Sequence, residues 1–368
     1  MMKVPFVNLK AQYATIKSDI DRAIAGVIDE SRYIRGQAVT EFERRFRQLC
    51  DRSECIAMGN CTDALHASLK GLNIGHGDEV ITPAFTWISS AEVIVNAGAT
   101  PVFADVHPDF FTIDPDDIKR KISSRTKAVI IVHLYGQAAP VRQIREICDE
   151  NKLFLIEDCA QAHLTEENNI VAGKSGTTGC FSFYPTKNLG AYGDAGCLVC
   201  DDPALAVRVR RFANHGGLDK NDHQFSGVNS RMDTIQAAIL NAKLPFLRSW
   251  NGKRIELADR YCDNLRSIGG VAVPKVRHQT VHSFHLFVIK SDDRNNLMSY
   301  LAEKGIETQI HYPCALPYEP AYARYHHSAS DFPVSASLQG EVLSLPIYPE
   351  LTFDQVDYVC ETVAAFYG

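Results

Sequence analysis

From Glu54 onward the chain alternates short, almost wholly apolar segments with stretches of helical periodicity, and no other feature limits its fold as tightly. The apolar segments fall at 55–58, 79–82, 101–105, 128–133 and 153–157, with helical stretches near 63–71, 89–96, 115–122 and 141–150. A strand that is apolar at nearly every position has to be covered on both faces, and helices packed on both sides of a sheet do that. The alternation therefore predicts an α/β layered domain with a mostly parallel sheet. Asp114 before Pro115 has the form of an N-cap followed by proline at the first helical position. Two further strands, 180–184 and 197–200, flank the Gly-rich run 188–196. They are too close for a crossover helix and are expected to run antiparallel.

The flanks read differently. Ile16, Ile20, Ile24, Val27 and Ile28 recur at helical spacing and predict one amphipathic helix, with a second, short one around Phe42, Phe46 and Leu49. After Trp250 a long helix is expected through Leu257, Tyr261 and Leu265. The last third then predicts a small α/β unit: strands at 285–289 and 306–310, and helices at 295–304 and 353–366. The stretch 315–333, rich in Pro, Tyr and His, is expected to be a surface loop. The expected division is a large domain over 1–250, including the N-terminal helical segment, and a small one over 251–368.

With 368 residues the chain is too long for one small core. Its 45% hydrophobic and 22% charged residues are ordinary for a globular protein, and a net charge of -6 argues against a nucleic-acid partner. The first residues lack the apolar run of a signal peptide, and no later stretch is apolar for the length of a membrane span, so a cytoplasmic protein is expected. The 11 cysteines form no C-x-x-C pair, and Cys50, Cys55 and Cys61 have no histidine pair beside them. Reduced, buried cysteines and no metal are expected.

Two segments carry the chemistry. IEDCAQAH (156–163) puts Asp158 at the C-terminal end of an apolar strand, where open α/β sheets hold their ligands. SFYPTKNLG (182–190) sets Lys187 just before a glycine-rich turn. A lysine and a carboxylate so placed suit pyridoxal phosphate (PLP): the lysine forms a Schiff base, and the carboxylate keeps the pyridine nitrogen protonated. Taken alone, the pair is equally a solvated lysine in a turn and an aspartate capping one. GNCTDAL (59–65) follows a strand and opens a helix, so its backbone N–H groups and the Thr62 hydroxyl would suit a phosphate. Phe85, after the strand at 79–82, is either a ring-stacking aromatic or a core one.

Over essentially its whole length the sequence resembles the DegT/StrS family of PLP-dependent nucleotide-sugar aminotransferases, of PLP fold type I in the aspartate aminotransferase superfamily. The resemblance runs from PFVNLK (5–10) through GDEVITPAFTW, HLYGQ, IEDCAQAH, SFYPTKNLGAYGDAG and GVNSRMDTIQAAIL to IHYP (310–313) and LSLP (343–346). It implies a large domain with a mostly parallel mixed sheet between helices, and a smaller C-terminal α/β domain. It implies that Lys187 is the Schiff-base lysine and catalytic base, that Asp158 pairs with the pyridine nitrogen, and that Gln161 lies near the cofactor's 3′-oxygen. Phe85 is expected to stack on the ring, and Cys61, Thr62 and Ser182 to hold the phosphate. Asn229 would reach that phosphate from a second subunit, making a homodimer with shared sites. Tyr184, His311 and Tyr312 are the expected sugar contacts, and Lys220 a contact to the nucleotide phosphates.

The substrates implied are an amino acid donor, L-glutamate by analogy, and a nucleotide-linked keto sugar. SFYPTKNLGAYGDAG is most similar to members acting at C3 of dTDP-3-keto-6-deoxyhexoses. Lysine at 187 argues against the related sugar dehydratases, which carry histidine there. Other readings stay open: a UDP- or GDP-linked, C4-keto substrate; a non-catalytic regulator that binds PLP or sugar; and an amino-acid aminotransferase, which would need an arginine such as Arg231 in the pocket. The chain departs from the family pattern at Cys61, where glycine is usual, at Leu164-Thr165-Glu166, and at Cys314-Ala315-Leu316.

Overall fold

The structure, a computed structural model, describes residues 2–368. Seven strands form the main sheet: β1 (Glu54–Met58), β2 (Glu79–Pro83), β3 (Thr100–Ala104), β4 (Thr126–Val132), β5 (Phe154–Asp158), β6 (Thr178–Ser182) and β7 (Gly196–Cys200). They lie in the order β1-β7-β6-β5-β4-β2-β3. Only β7 is antiparallel to its neighbours, so the expected antiparallel pairing of β6 and β7 is present and the rest of the sheet is parallel. The other six strands therefore end at the same edge. Helices at Cys61–Gly71, Ser89–Asn96, Pro115–Lys121 and Val141–Glu150 match the predicted stretches. The strands read as continuous apolar runs because both faces are buried: Ile56, Ile130 and Ile156 join one core, and Cys55, Ala57 and Phe181 join another with Phe42 and Phe46.

A second sheet, β8 (Val271–Ala272), β9 (Phe287–Ser291) and β10 (Val342–Leu345), packs with the helix Phe353–Tyr367. The helix Leu247–Leu265 joins the two bodies: Leu247 lies in a core under the main sheet, whereas Leu257, Tyr261 and Leu265 lie in that of the second sheet. Val4 packs in the second core and bridges to Ile306. A two-residue ribbon of Glu166–Glu167, Ile170–Val171 and Thr280–Val281 forms a third small sheet.

Several expectations need correction. The predicted amphipathic helix is present as Lys17–Glu30 with Ile16 at its N-terminal boundary (φ -127°, ψ 22°), and a separate short helix, Leu9–Thr15, precedes it unforeseen. No strand forms at 306–310; it lies along the outer edge of β10 and makes only the bridges Val4–Ile306 and Gln309–Ser344. The stretch 315–333 is three short 3₁₀ turns, not a loose loop. Pro317 and Pro320 lie at the starts of two of them, and Leu316, Tyr322 and Phe332 pack on Phe103 and Ala84. The helices Pro203–Phe212, Thr234–Lys243 and Pro333–Glu341 were not foreseen. Among the described residues, no helix is long and apolar enough to cross a membrane.

Glu157 shows what holds the entry to β6 in place. Its buried carboxylate accepts from His133 Nε2–H (3.0 Å), from Gly173 N–H (2.9 Å) and from Gly176 N–H. Arg52 grips the same loop from its other side, donating to the Gly173 carbonyl (2.8 Å) and to that of Gly176. Burial pushes the Glu157 carboxyl up, but His133 and the two amides outweigh it and hold it below its ordinary range. Removing it strands three donors in the interior. Glu157→Ala is expected to cost about 3 kcal/mol, read as a lower urea midpoint; a loss below about 1 kcal/mol would contradict this account.

Candidate active site

A cavity of about 650 Å³ opens at the carboxyl edge of the main sheet. The strand ends supply its walls: Cys61 and Thr62 after β1, Thr86 and Trp87 after β2, Val132 at the end of β4, Asp158 at the end of β5, and Ser182 at the end of β6. This is where the crevice of an open α/β sheet lies. Lys187, on the loop between β6 and β7, also lines it, with His285, His311 and Tyr312 from the second body. Nine of the twelve residues singled out from the sequence meet here: Cys61, Thr62, Asp158, Gln161, Ser182, Tyr184, Lys187, His311 and Tyr312.

Adjacent residues of a strand face opposite ways, so Glu157 and Asp158 part company. Asp158, 7% exposed, accepts from Ala160 N–H at Oδ1 (3.0 Å), and no described residue donates to Oδ2. Burial raises the Asp158 carboxyl; Ala160 N–H, Lys187 and His133 oppose that. Burial brings the Lys187 ammonium down to about 8, against the pull of Asp158 and Cys61. An amine at that value has a far larger neutral, nucleophilic fraction near neutral pH than an ordinary lysine, although the ammonium still predominates there.

One wall is a helix N-terminus. Asn60 caps the helix Cys61–Gly71 by accepting from Asp63 N–H (2.8 Å), leaving the first amides of the helix without an intrahelical partner. The Thr62 hydroxyl lies 2.8 Å from Ser89 Oγ, which also lines the cavity. Cys61 is helical and has no positive φ, so cysteine in place of the usual glycine brings no strain. The strain falls at Leu164 instead: it adopts φ 58°, in the left-handed region that favours glycine. Thr165 beside it donates to the Gly136 carbonyl (2.9 Å), so this departure braces the segment behind the cavity.

Gln161 is spent on two neighbours. Its Oε1 accepts from Tyr135 N–H (2.6 Å), and its amide donates to the Tyr312 hydroxyl (3.0 Å), which leaves the Tyr312 proton free to donate. His311 Nδ1 lies 2.8 Å from Ser344 Oγ, and burial brings its imidazole down to about 4, so it is neutral. Tyr184 is 53% exposed.

Phe85 is a correction. It is fully buried among Val106, Phe111 and Leu134, does not line the cavity, and meets Tyr312 with its ring at 6.3 Å. The next aromatic, Trp87, lines the cavity and is 58% exposed. The chain leaves β2 at Pro83, and the turn that follows buries Phe85 and presents Trp87. Lys220 and Asn229 are exposed and stand outside the cavity of their own chain, on the loop after Phe212; Asn229 bridges to Asn214. No arginine lines the cavity among the described residues, and Arg231 donates to Asn214 Oδ1 (3.1 Å). His133, Glu157 and Cys159 form a buried cluster, but His133 Nδ1 accepts from Ala139 N–H and its Nε2–H is taken by Glu157.

Sequence reasoning missed Trp87, Ser89 and His285. Trp87 stood in the quoted string TPAFTW, but a single aromatic had to be chosen; His285 read only as the first residue of a strand.

The residues present fit PLP. A free helix N-terminus with two hydroxyls can take its phosphate, a buried carboxylate with one open oxygen its pyridine nitrogen, and a lysine of lowered pKa its aldehyde. The profile of the DegT/DnrJ/EryC1/StrS aminotransferase family matches residues 14–364. The chain belongs to this family. It is 40% identical over 364 residues (99% of this chain and 100% of the relative) to the erythromycin biosynthesis sensory transduction protein EryC1 of Saccharopolyspora erythraea. It is also 40% identical over 361 residues (98% and 95%) to the dTDP-3-amino-3,4,6-trideoxy-alpha-D-glucose transaminase of Streptomyces venezuelae. Among solved structures, S. venezuelae DesV in complex with a ketimine intermediate superposes with a TM-score of 0.97 at 39% identity, covering 100% of this chain and 99% of that one. Family membership makes the chain an aminotransferase with a PLP fold type I architecture.

The lowered Lys187 pKa gives a direct test. In cofactor-free protein, acylation of Lys187 followed by peptide mass mapping is expected to rise with pH around a midpoint near 8, not the ordinary 10.5. Asp158 supports the ammonium, so Asp158→Asn should move the midpoint further down; an upward move would contradict the pairing.

Proposed function

We propose that this chain transfers an amino group from an amino acid, L-glutamate by analogy, to a nucleotide-linked keto-deoxysugar, at C3 of a dTDP-3-keto-6-deoxyhexose, with PLP as cofactor. The observation that carries the reading is the meeting of Lys187, of lowered pKa, and a carboxylate with an open oxygen beside a free helix N-terminus in one cavity. The 40% identity to a named dTDP-sugar transaminase supports the substrate class.

When bound, the cofactor supplies a ring that accepts the electron pair released at the substrate carbon. In this reading Lys187 Nζ anchors it and, once displaced, takes a proton from the donor's α-carbon and returns one at the sugar carbon. Asp158 holds the proton on the ring nitrogen. The Cys61 and Thr62 amides bind the phosphate, with the Thr62 and Ser182 hydroxyls. Trp87, in the place first given to Phe85, offers the aromatic face. Gln161 would orient Tyr312, leaving its hydroxyl proton free to donate into the cavity. Tyr184 and His311 would fix the sugar at the mouth.

Lys220 and Asn229 lie outside their own cavity, and we read them as serving the site of a second copy in a homodimer. The same reading divides the chain near Trp250, within the connecting helix, and places the enzyme in the cytoplasm.

Two measurements test this. Protein reloaded with PLP should show a visible Schiff-base band that L-glutamate bleaches; Lys187→Ala should never form it. A persistent wild-type band with every amino donor would exclude transamination. For the shared site, Lys187→Ala and Asn229→Asp chains are co-expressed under different tags and the hybrid is purified. One native site per hybrid should restore activity that either variant lacks alone; a silent hybrid would place Asn229 in its own chain's site or in none.

A further inference from the structure

We propose that His285 is a positioning residue: Asn188 holds it as the Nδ1–H tautomer, and its Nε2 lone pair receives an N–H of Lys187 and so aims the lysine's free amine. This rests on the reading of Lys187 as the proton-moving base.

The tautomer follows from a chain of amides anchored on backbone carbonyls, which can only accept. The His163 carbonyl takes the Asn251 amide N–H (2.7 Å), so Asn251 Oδ1 is turned toward Asn188. Asn188 then donates to Asn251 Oδ1 (2.8 Å) and to the Ser283 carbonyl (2.9 Å). Both its amide hydrogens are used, so the atom it turns to His285 is Oδ1, 3.2 Å from Nδ1. An oxygen there calls for a hydrogen on Nδ1, which leaves Nε2 bare. Lys187 Nζ lies 3.5 Å from that Nε2.

The ring cannot move away or charge easily. Arg254 donates to the carbonyls of Phe284 (3.1 Å), His285 (3.3 Å) and Ile347 (2.9 Å), pinning the segment from behind. In front, Gly136 (φ 99°) lies so close that a Cβ there would stand 2.9 Å from Phe284 N and 3.1 Å from His285 N. Burial, then Lys187, Arg254, His311 and His163, all disfavour a charged His285. It stays a neutral acceptor.

The consequence for Lys187 is geometric. A tetrahedral amine with one N–H fixed on His285 directs its lone pair elsewhere, and the remaining open side is the cavity with Asp158. Positioning of that kind acts on the rate of proton transfer, not on substrate affinity. Because Asn188 follows Lys187 in the chain, the lysine's neighbour holds the lysine's partner.

The test compares His285→Phe, which keeps bulk but no acceptor, with His285→Gln, which keeps an acceptor. In cofactor-free full-length protein, His285→Phe should lower the midpoint of Lys187 acylation by roughly one pH unit, because a hydrogen bond to the ammonium is lost. His285→Gln should stay near wild type. In the holoenzyme His285→Phe should lower kcat about tenfold or more with KM for the amino donor within about twofold, and His285→Gln should recover part of the loss. An unchanged midpoint and kcat in His285→Phe would overturn the proposal, as would equal damage in both variants, which would mean packing alone. Should His285→Phe fail to fold, ¹⁵N-histidine NMR of the wild-type chain decides, with the signal assigned by its absence in His285→Gln. A proton on Nδ1 is expected, and one on Nε2 overturns the proposal. Midpoint and tautomer are read without PLP, so failure of the cofactor reading would appear separately, as a missing visible band.

Discussion

Two carboxylates in succession, at the buried end of a central parallel strand, set the terms for everything around them. Strand alternation sends Glu157 and Asp158 to opposite sides, and each has to be reconciled with the interior in its own way. Glu157 is saturated: His133, Gly173 and Gly176 take up its oxygens, and the loop into β6 is fixed by that bond set. Asp158 is left partly unsatisfied at a cavity, next to a lysine that burial has made less basic. The first anchors a loop and the second faces the cavity with an open oxygen, although the two are chemically near-identical and adjacent in sequence. What distinguishes them is the side of the strand and the supply of backbone amides.

Around Asp158 the walls come from strand ends that the topology delivers to one edge. A single antiparallel strand, β7, is enough to double the chain back, so that the loop between β6 and β7 can carry Lys187 across the crevice. The second body contributes from the far side, with His285, His311 and Tyr312 facing the strand ends. The order of side chains in sequence says little about this meeting, since residues 61 and 312 become neighbours across one cavity.

The layered α/β core was legible because fully buried strands leave an unbroken apolar signature, and the helices between them start and stop at caps and prolines. Asp158 and Lys187 were legible because each stands in a distinctive string that the family resemblance picks out, whereas the pair taken alone was ambiguous. What escaped was governed by tertiary contact. Phe85 and Trp87 are two aromatics two residues apart, and only their tertiary surroundings after β2 decide which is core and which is wall. The segment 306–310 has strand-like composition, but it meets the edge of β10 at a single bridge instead of a ladder. The turns at 315–333 look like loop by composition, yet three of their apolar residues are anchored on Phe103 and Ala84. His285 carried no signal at all, because its importance lies in a hydrogen-bonded chain through Asn188 and Asn251 that spans distant parts of the sequence.

Gly136 has a mechanical consequence. The Ser283 hydroxyl and the main chain of Phe284 and His285 lie close upon it, and the seam is closed by Ser283 N–H to the Gly136 carbonyl (3.1 Å) and Leu286 N–H to the Tyr135 carbonyl (3.3 Å). These are bonds between the two bodies of the molecule, placed directly behind the reactive lysine. A hinge that swung one body from the other would have to break them, and would carry His285 away from Lys187. Relative motion of the two bodies is therefore coupled to the loss of two main-chain bonds and of the contact between His285 and Lys187.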